Sequence, residues 1–194
     1  RRHWISRIHY QVLSGHPELE AVQRPGPDEN GVERQFPRNA SESWWFKVKD
    51  GVLSITASRT PPALKTVLFD NEYISGILTT QSRFSQKYGY VEMRAKIPVG
   101  VGVWPAFWML GANITTVGWP ACGEVDIMEH IGSQPSVNHG SAHGPGYSGG
   151  SAKSATYALP ANARFADAFH TFAVDWAPGT IAFLVDGVVY HTVT

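Results

Sequence analysis

The sequence predicts an all-β fold, a sandwich or jelly roll of antiparallel strands, on three observations. Short apolar-alternating runs recur from residue 48 onward. Gly, Pro, Asn and Ser punctuate them, and 19 Gly with 13 Pro in 194 residues supply turns enough for many short strands. No long stretch carries helical periodicity, so a layered fold of strands is the economical solution.

Taken in order, the expected strands are residues 51–57, 73–80, 88–97, 103–110, 124–130, 138–143 and 170–176. The run 88–97 shows the two-residue period best: Val91, Met93, Ala95 and Ile97 share one face, and Tyr90, Glu92, Arg94 and Lys96 the other. Residues 181–191 have the pattern of a hairpin, with Asp186-Gly187 supplying the positive φ angles of a tight two-residue turn. Residues 1–47 differ. They are Arg- and Pro-rich around Pro25-Gly26-Pro27 and alternate poorly, so they are expected to be an irregular N-terminal segment preceding a domain at 48–194. The last strand runs into Thr194 with no closing element. The sandwich is therefore expected to be incomplete at both ends, with an unpaired sheet edge after the final hairpin.

Composition narrows the partners. The 16 basic and 16 acidic residues cancel, which argues against nucleic acid or an anionic membrane as the ligand. Charged residues are only 16% of the chain, whereas Trp (7), Tyr (7) and Phe (9) are plentiful, a balance that suits uncharged sugars stacking on aromatic rings. The glycine content follows from an all-β fold alone. One cysteine, Cys122, excludes an internal disulfide framework and a Cys-based zinc site, and reads as a small buried residue. No apolar run approaches a membrane span, and Arg1 to Ser6 lack the apolar core of a signal peptide. Sequons at Asn39 and Asn113 are too short to carry weight.

The strongest chemical signal is Gly123-Glu124-Val125-Asp126-Ile127-Met128-Glu129-His130. Three carboxylates interleaved with Val, Ile and Met describe a strand with one acidic and one buried face. Glu124 and Asp126 share a face by the period of two. Strict alternation would then turn Glu129 into the core, where a bare carboxylate is costly. A β-bulge at Ile127-Met128 absorbs one residue and returns Glu129 to the acidic face. Such a row suits glycoside hydrolysis, in which one carboxyl attacks the anomeric carbon and another protonates the leaving oxygen. Four effective steps separate the Glu124 and Glu129 backbones by roughly 13 Å, so the strand must bend for the side chains to converge. Crowding the acids keeps a proton on at least one near neutral pH. Spacing alone does not say which Glu has which role. The competing readings are a solvated acidic edge and a calcium site. The buried alternation opposes the first, and the lack of Gly and Asn ligands opposes the second.

Glu124 to Glu129 resembles the signature of glycoside hydrolase family 16 in the bulged form of its laminarinase-like β-1,3-glucanases. Val103-Trp104-Pro105-Ala106-Phe107-Trp108-Met109-Leu110-Gly111, Gly118-Trp119-Pro120-Ala121-Cys122-Gly123 and His143-Gly144-Pro145-Gly146-Tyr147-Ser148-Gly149-Gly150 are similar to the segments that flank it. The resemblance covers roughly residues 48–194. It implies a bent, concanavalin-like jelly-roll sandwich of two antiparallel sheets with a glucan cleft. It also implies an endo-acting, retaining hydrolase of β-1,3-glucan or mixed β-1,3/1,4-glucan.

By the same resemblance Glu124 is the nucleophile, Glu129 the acid/base and Asp126 the group that orients the nucleophile. Trp104, Trp108, Trp119 and His143 would line the sugar subsites. Trp104 and Trp108 share strand parity, which fits a stacking face or a core face. Trp119, in a turn, favours a platform, and His130 should point away from the acids. Three departures stand out: the family's N-terminal strands and Asn-Glu segment are not found in 1–47, its final strands are absent, and Ile77 stands where relatives often carry Arg. The alternatives are a galactan hydrolase of the same fold, agarase- or carrageenase-like, and a non-catalytic glucan-binding module. Sulfated polymers would call for more Arg and Lys, and binding modules tend to lose the carboxylates kept here. A monomer acting on a polysaccharide is expected, secreted, with no metal or cofactor in catalysis and no nucleic-acid or membrane partner; a structural calcium finds no support in the residues.

Overall fold

The computed structural model describes residues 4–12, 46–81 and 84–194. The chain divides into two compact units, residues 1–8 with 78–194, and residues 9–77. Fourteen strands are described: β1 (Trp4–Val12), β2 (Phe46–Lys49), β3 (Val52–Ile55), β4 (Ser58–Arg59), β5 (Tyr73–Ile74), β6 (Ile77–Thr79), β7 (Gly89–Ala95), β8 (Val103–Gly111), β9 (Glu124–Glu129), β10 (Val137–His143), β11 (Lys153–Ala158), β12 (His170–Ala177), β13 (Thr180–Val185) and β14 (Val188–Val193). A single-turn helix, α1 (Ile114–Val117), and a few 3-10 turns are the other regular elements.

Two sheets dominate, ordered β11-β10-β9-β8-β1-β6 and β14-β13-β12-β7. The pairings with an assigned register in these sheets are all antiparallel. Their facing sides meet in one core. Phe107, Met109, Val125, Ile127, Met128 and Ala142 come from the larger sheet, and Phe172, Val174, Phe183 and Val185 from the smaller. Aligned sheets interdigitate alternate residues in this way. The face assigned to Val91, Met93, Ala95 and Ile97 from sequence does pack on that core. Each fully buried Phe or Ile contributes about 1.5–3 kcal/mol relative to exposure.

The final hairpin also forms as expected: Val185 pairs with Val188, and Asp186 and Gly187 take φ angles of 49° and 76°. Asp186 is held there. Its carboxylate accepts from the Thr171 amide at 2.9 Å and meets His170 Nδ1 at 2.7 Å.

In the unit of residues 9–77, β2 and β3 form a hairpin through Asp50 and Gly51, both at positive φ. The expected strand 73–80 is interrupted into β5 and β6. A Cβ on Gly76 would stand 2.5 Å from the Phe46 ring, so this close approach requires glycine.

Four strands were not foreseen: β1, β2, β4 and β11. The segment expected to be irregular, 1–47, contains β1, whose Trp, Ile, Tyr and Val favour a strand despite weak alternation. Residues 1–3 and 13–45 of that segment lie outside the described residues. Strand β11 is polar in Lys153, Ser154 and Thr156. Its partner β10 supplies the pairing that its own sequence does not announce.

Candidate active site

The site is built on β9, flanked by β8 and β10. Against β8, Leu110, Met109 and Trp108 pair with Glu124, Val125 and Asp126, and then Phe107 and Ala106 pair with Met128 and Glu129. Against β10, His143, Ala142 and Ser141 pair with Glu124, Val125 and Asp126, and His139 with Glu129. Both registers slip by one residue between Asp126 and Met128. This is the bulge the sequence requires, and it puts Ile127 and Met128 together opposite Gly140. Both apolar side chains enter the core, which returns Glu129 to the face of Glu124 and Asp126. Gly140 has no alternative: a Cβ there would collide with the Tyr190 hydroxyl and the Phe183 ring.

Residues that pair directly across strands share a face, so the acidic face also carries Trp104, Trp108, His139, Ser141 and His143. The parity shared by Trp104 and Trp108 is thereby resolved, because the core takes Phe107 and Met109 from β8 instead. Trp108 packs beside Leu110 and Cys122. Cys122 is fully buried, as is His130, whose Nδ1 lies 3.0 Å from the Val137 carbonyl. His139 and Ser141 escaped the sequence reading, although counting back by twos from His143 finds both. Ser141 accepts from the Ser154 hydroxyl at 2.9 Å, and His139 Nε2 meets Gln134 Oε1 at 3.1 Å.

Each carboxylate has a distinct donor. The Trp119 indole Nε1 donates to Glu124 Oε2 at 2.5 Å, and the Trp104 indole Nε1 to Glu129 Oε1 at 3.1 Å. Trp119 reaches the site from the loop that leads into β9. Backbone bonds from Cys122 to Gly118, from Gly123 to Pro120 and from Gly111 to Gly123 close that loop.

His143 Nε2 meets Asp126 Oδ2 at 2.9 Å, while the Gly149 amide donates to His143 Nδ1 at 3.2 Å. A ring nitrogen that accepts cannot also carry a proton, so the proton of neutral His143 sits on Nε2 and points at Asp126.

Burial is the largest electrostatic influence. It pushes Glu124 up to about 7, aided by the negative charge of Asp126 and opposed by the Trp119 hydrogen bond. It pushes Glu129 up to about 8, aided by Asp126 and Glu124 and opposed by Trp104. Asp126 is raised by burial too, but the hydrogen bond from His143 works against that rise. His143 is raised, first by its hydrogen bond to Asp126, and His139 is lowered by burial.

Donor atoms of Glu124, Asp126 and His143 lie within 4.8 Å of one another, close enough to surround a cation. They are engaged with each other, Trp119 and Gly149, and none is assigned as a metal ligand. What the arrangement can do is hold two glutamates that titrate near neutral pH, beside Asp126, whose anionic form the His143 hydrogen bond supports.

The chain matches the family model of glycosyl hydrolases family 16 over residues 40–194. It is 38% identical over 149 residues to a beta-glucanase of Rhodothermus marinus, covering 75% of this chain and 49% of that protein. It is 38% identical over 124 residues to glucan endo-1,3-beta-glucosidase A1 of Niallia circulans, covering 63% of this chain and 18% of that one. Among solved structures, the laminarinase catalytic domain of Thermotoga maritima MSB8 superposes with a TM-score of 0.70 at 40% identity, covering 78% of this chain and 60% of that domain. The chain thus spans half or less of the length of these two curated relatives.

Proposed function

This chain belongs to glycosyl hydrolases family 16, and from that premise we propose that it cleaves β-1,3-glucan, or mixed β-1,3/1,4-glucan, internally and with retention of anomeric configuration. The observation that carries this reading is the bulge. It brings Glu124 and Glu129 to one face, each close to the ionisation that double displacement demands of it. Relatives named beta-glucanase and glucan endo-1,3-beta-glucosidase support the substrate class, and so does the neutral, aromatic-rich composition.

In this reading Glu124 attacks the anomeric carbon as the carboxylate. Protonated Glu129 gives its proton to the glycosidic oxygen as the bond to the leaving sugar breaks. The product of that step is a covalent glycosyl-enzyme ester on Glu124. Glu129, now a carboxylate, takes a proton from water, which attacks the same carbon from the face the leaving sugar vacated. Glu124 departs as a carboxylate and both residues return to their starting states. Asp126 orients Glu124. Trp119, half exposed, offers a surface for sugar CH groups.

Proton NMR of laminarin digestion tests the proposal. Newly formed β-anomeric ends that appear first and then mutarotate support it. An α-anomer appearing first excludes Glu124 as the nucleophile, and no turnover on laminarin or mixed-linkage glucan rejects the substrate class.

A further inference from the structure

An indole ring on a glucan-binding face is ordinarily valued for its surface. Here the edges matter as well. Trp119 directs Nε1–H at Glu124 Oε2, and Trp104 directs Nε1–H at Glu129 Oε1. The two indoles come from different elements, the loop before β9 and the strand β8, so each meets one glutamate only. An indole N–H donates and never accepts. An oxygen that accepts from it cannot at the same moment bear a proton pointing at it.

Each contact engages one oxygen of its glutamate, Oε2 of Glu124 and Oε1 of Glu129, so each glutamate is held from outside its own strand. With 49% of its surface exposed, Trp119 keeps a ring face open while its edge is engaged.

We propose that Trp119 and Trp104 are positioning residues of the double displacement. Each uses its indole N–H to hold one oxygen of one glutamate in place. This rests on the reading of Glu124 as nucleophile and Glu129 as acid/base. Other groups facing Glu124 are Asp126 on its own strand and His143 from β10, with Leu110 opposite on β8. Those facing Glu129 are Asp126, Glu124 and His143, with His139 opposite on β10 and Ala106 on β8. None of them duplicates an indole donor. Loss of either indole removes a contact that lowers the affinity of its own glutamate for a proton.

Trp119→Phe and Trp104→Phe keep an aromatic ring and delete the donor. In the whole chain, carbon-13 NMR of the glutamate carboxyls should show Trp119→Phe raising the Glu124 midpoint by about one pH unit and Trp104→Phe raising that of Glu129 similarly. The acidic limb of kcat/KM on laminarin should move up in the first variant and the alkaline limb in the second. In each, kcat should fall about tenfold with KM nearly unchanged. Unmoved midpoints with a raised KM would make both residues sugar platforms only and overturn the proposal.

If a variant fails to fold, the indole nitrogen-15 resonances of the unmutated chain decide. The Trp119 resonance must titrate with Glu124 and lose that step in Glu124→Gln, and Trp104 must do the same with Glu129. Resonances indifferent to both glutamates would overturn the proposal. The carboxyl and indole titrations need no turnover, so they stand apart from any failure of the glucanase reading itself.

Discussion

Asp126 Oδ2 lies 2.9 Å from His143 Nε2. Asp126 is almost wholly buried, and an anion there needs a donor aimed at it. His143 is that donor because the Gly149 amide occupies its other nitrogen. His143→Ala should therefore lower kcat about 10- to 100-fold, the worth of a hydrogen bond to a charged group, with KM little changed. His143→Gln keeps an N–H and should recover part of the loss. A rise in KM at constant kcat would return His143 to the sugar-lining role that the sequence resemblance implies.

The pH profile follows from the two glutamates. Productive enzyme has Glu124 ionised and Glu129 protonated. Activity should rise as pH passes the Glu124 value of about 7 and fall as it passes the Glu129 value of about 8. We expect a narrow bell in kcat/KM centred between those values, whose limbs are properties of the coupled cluster. An optimum near pH 5 would mean that the cluster is more solvated in the working enzyme.

The two glutamates can be separated by leaving group. Glu129→Ala should abolish turnover of laminarin, because a sugar alkoxide is a poor leaving group without a proton. On an aryl β-glucoside oligomer with an acidic phenol, formation of the glycosyl-enzyme should survive and its hydrolysis should slow. Added azide should then rescue turnover and give a β-glycosyl azide. Glu124→Ala should lose both substrates by at least about 10³-fold and, with azide, give the α-azide. Reversed azide stereochemistry would exchange the two roles.

How much of this was legible follows from which contacts are local. Strand β9 could be read in full, because a core-facing Glu129 would violate the cost of burying a carboxylate and a one-residue bulge is the smallest repair. The Asp186-Gly187 turn and the inward face of β7 are likewise statements about neighbours in sequence. Strand β11 was not legible, because its burial alternates only weakly, at Ala155 and Tyr157, and its place is set by pairing to β10. The tryptophans show the limit most clearly. Period two pairs Trp104 with Trp108 but leaves a stacking face or a core face open, and it does not say whether the ring face or the N–H edge meets Glu129. That depends on the bulge at Ile127-Met128, on the next strand of the sheet.

Keeping carboxyls half-protonated in a buried site has a stability cost with a definite sign. The folded-state value of Glu129, about 8, lies above the 4.5 of an ordinary glutamate. Between those values the unfolded chain has released a proton that the folded chain retains, so stability is lost as pH rises from about 5 through about 8. Glu124, at about 7, acts in the same direction. Glu129→Gln is neutral at every pH and nearly isosteric, and Gln can still accept from Trp104. We expect it to be inactive yet more stable than the parent by roughly 1–3 kcal/mol at pH 8, with the difference vanishing near pH 5. Urea unfolding at the two pH values measures this directly. An equal change at both would mean that the gain comes from packing and that burial of the Glu129 charge is not what the folded chain resists.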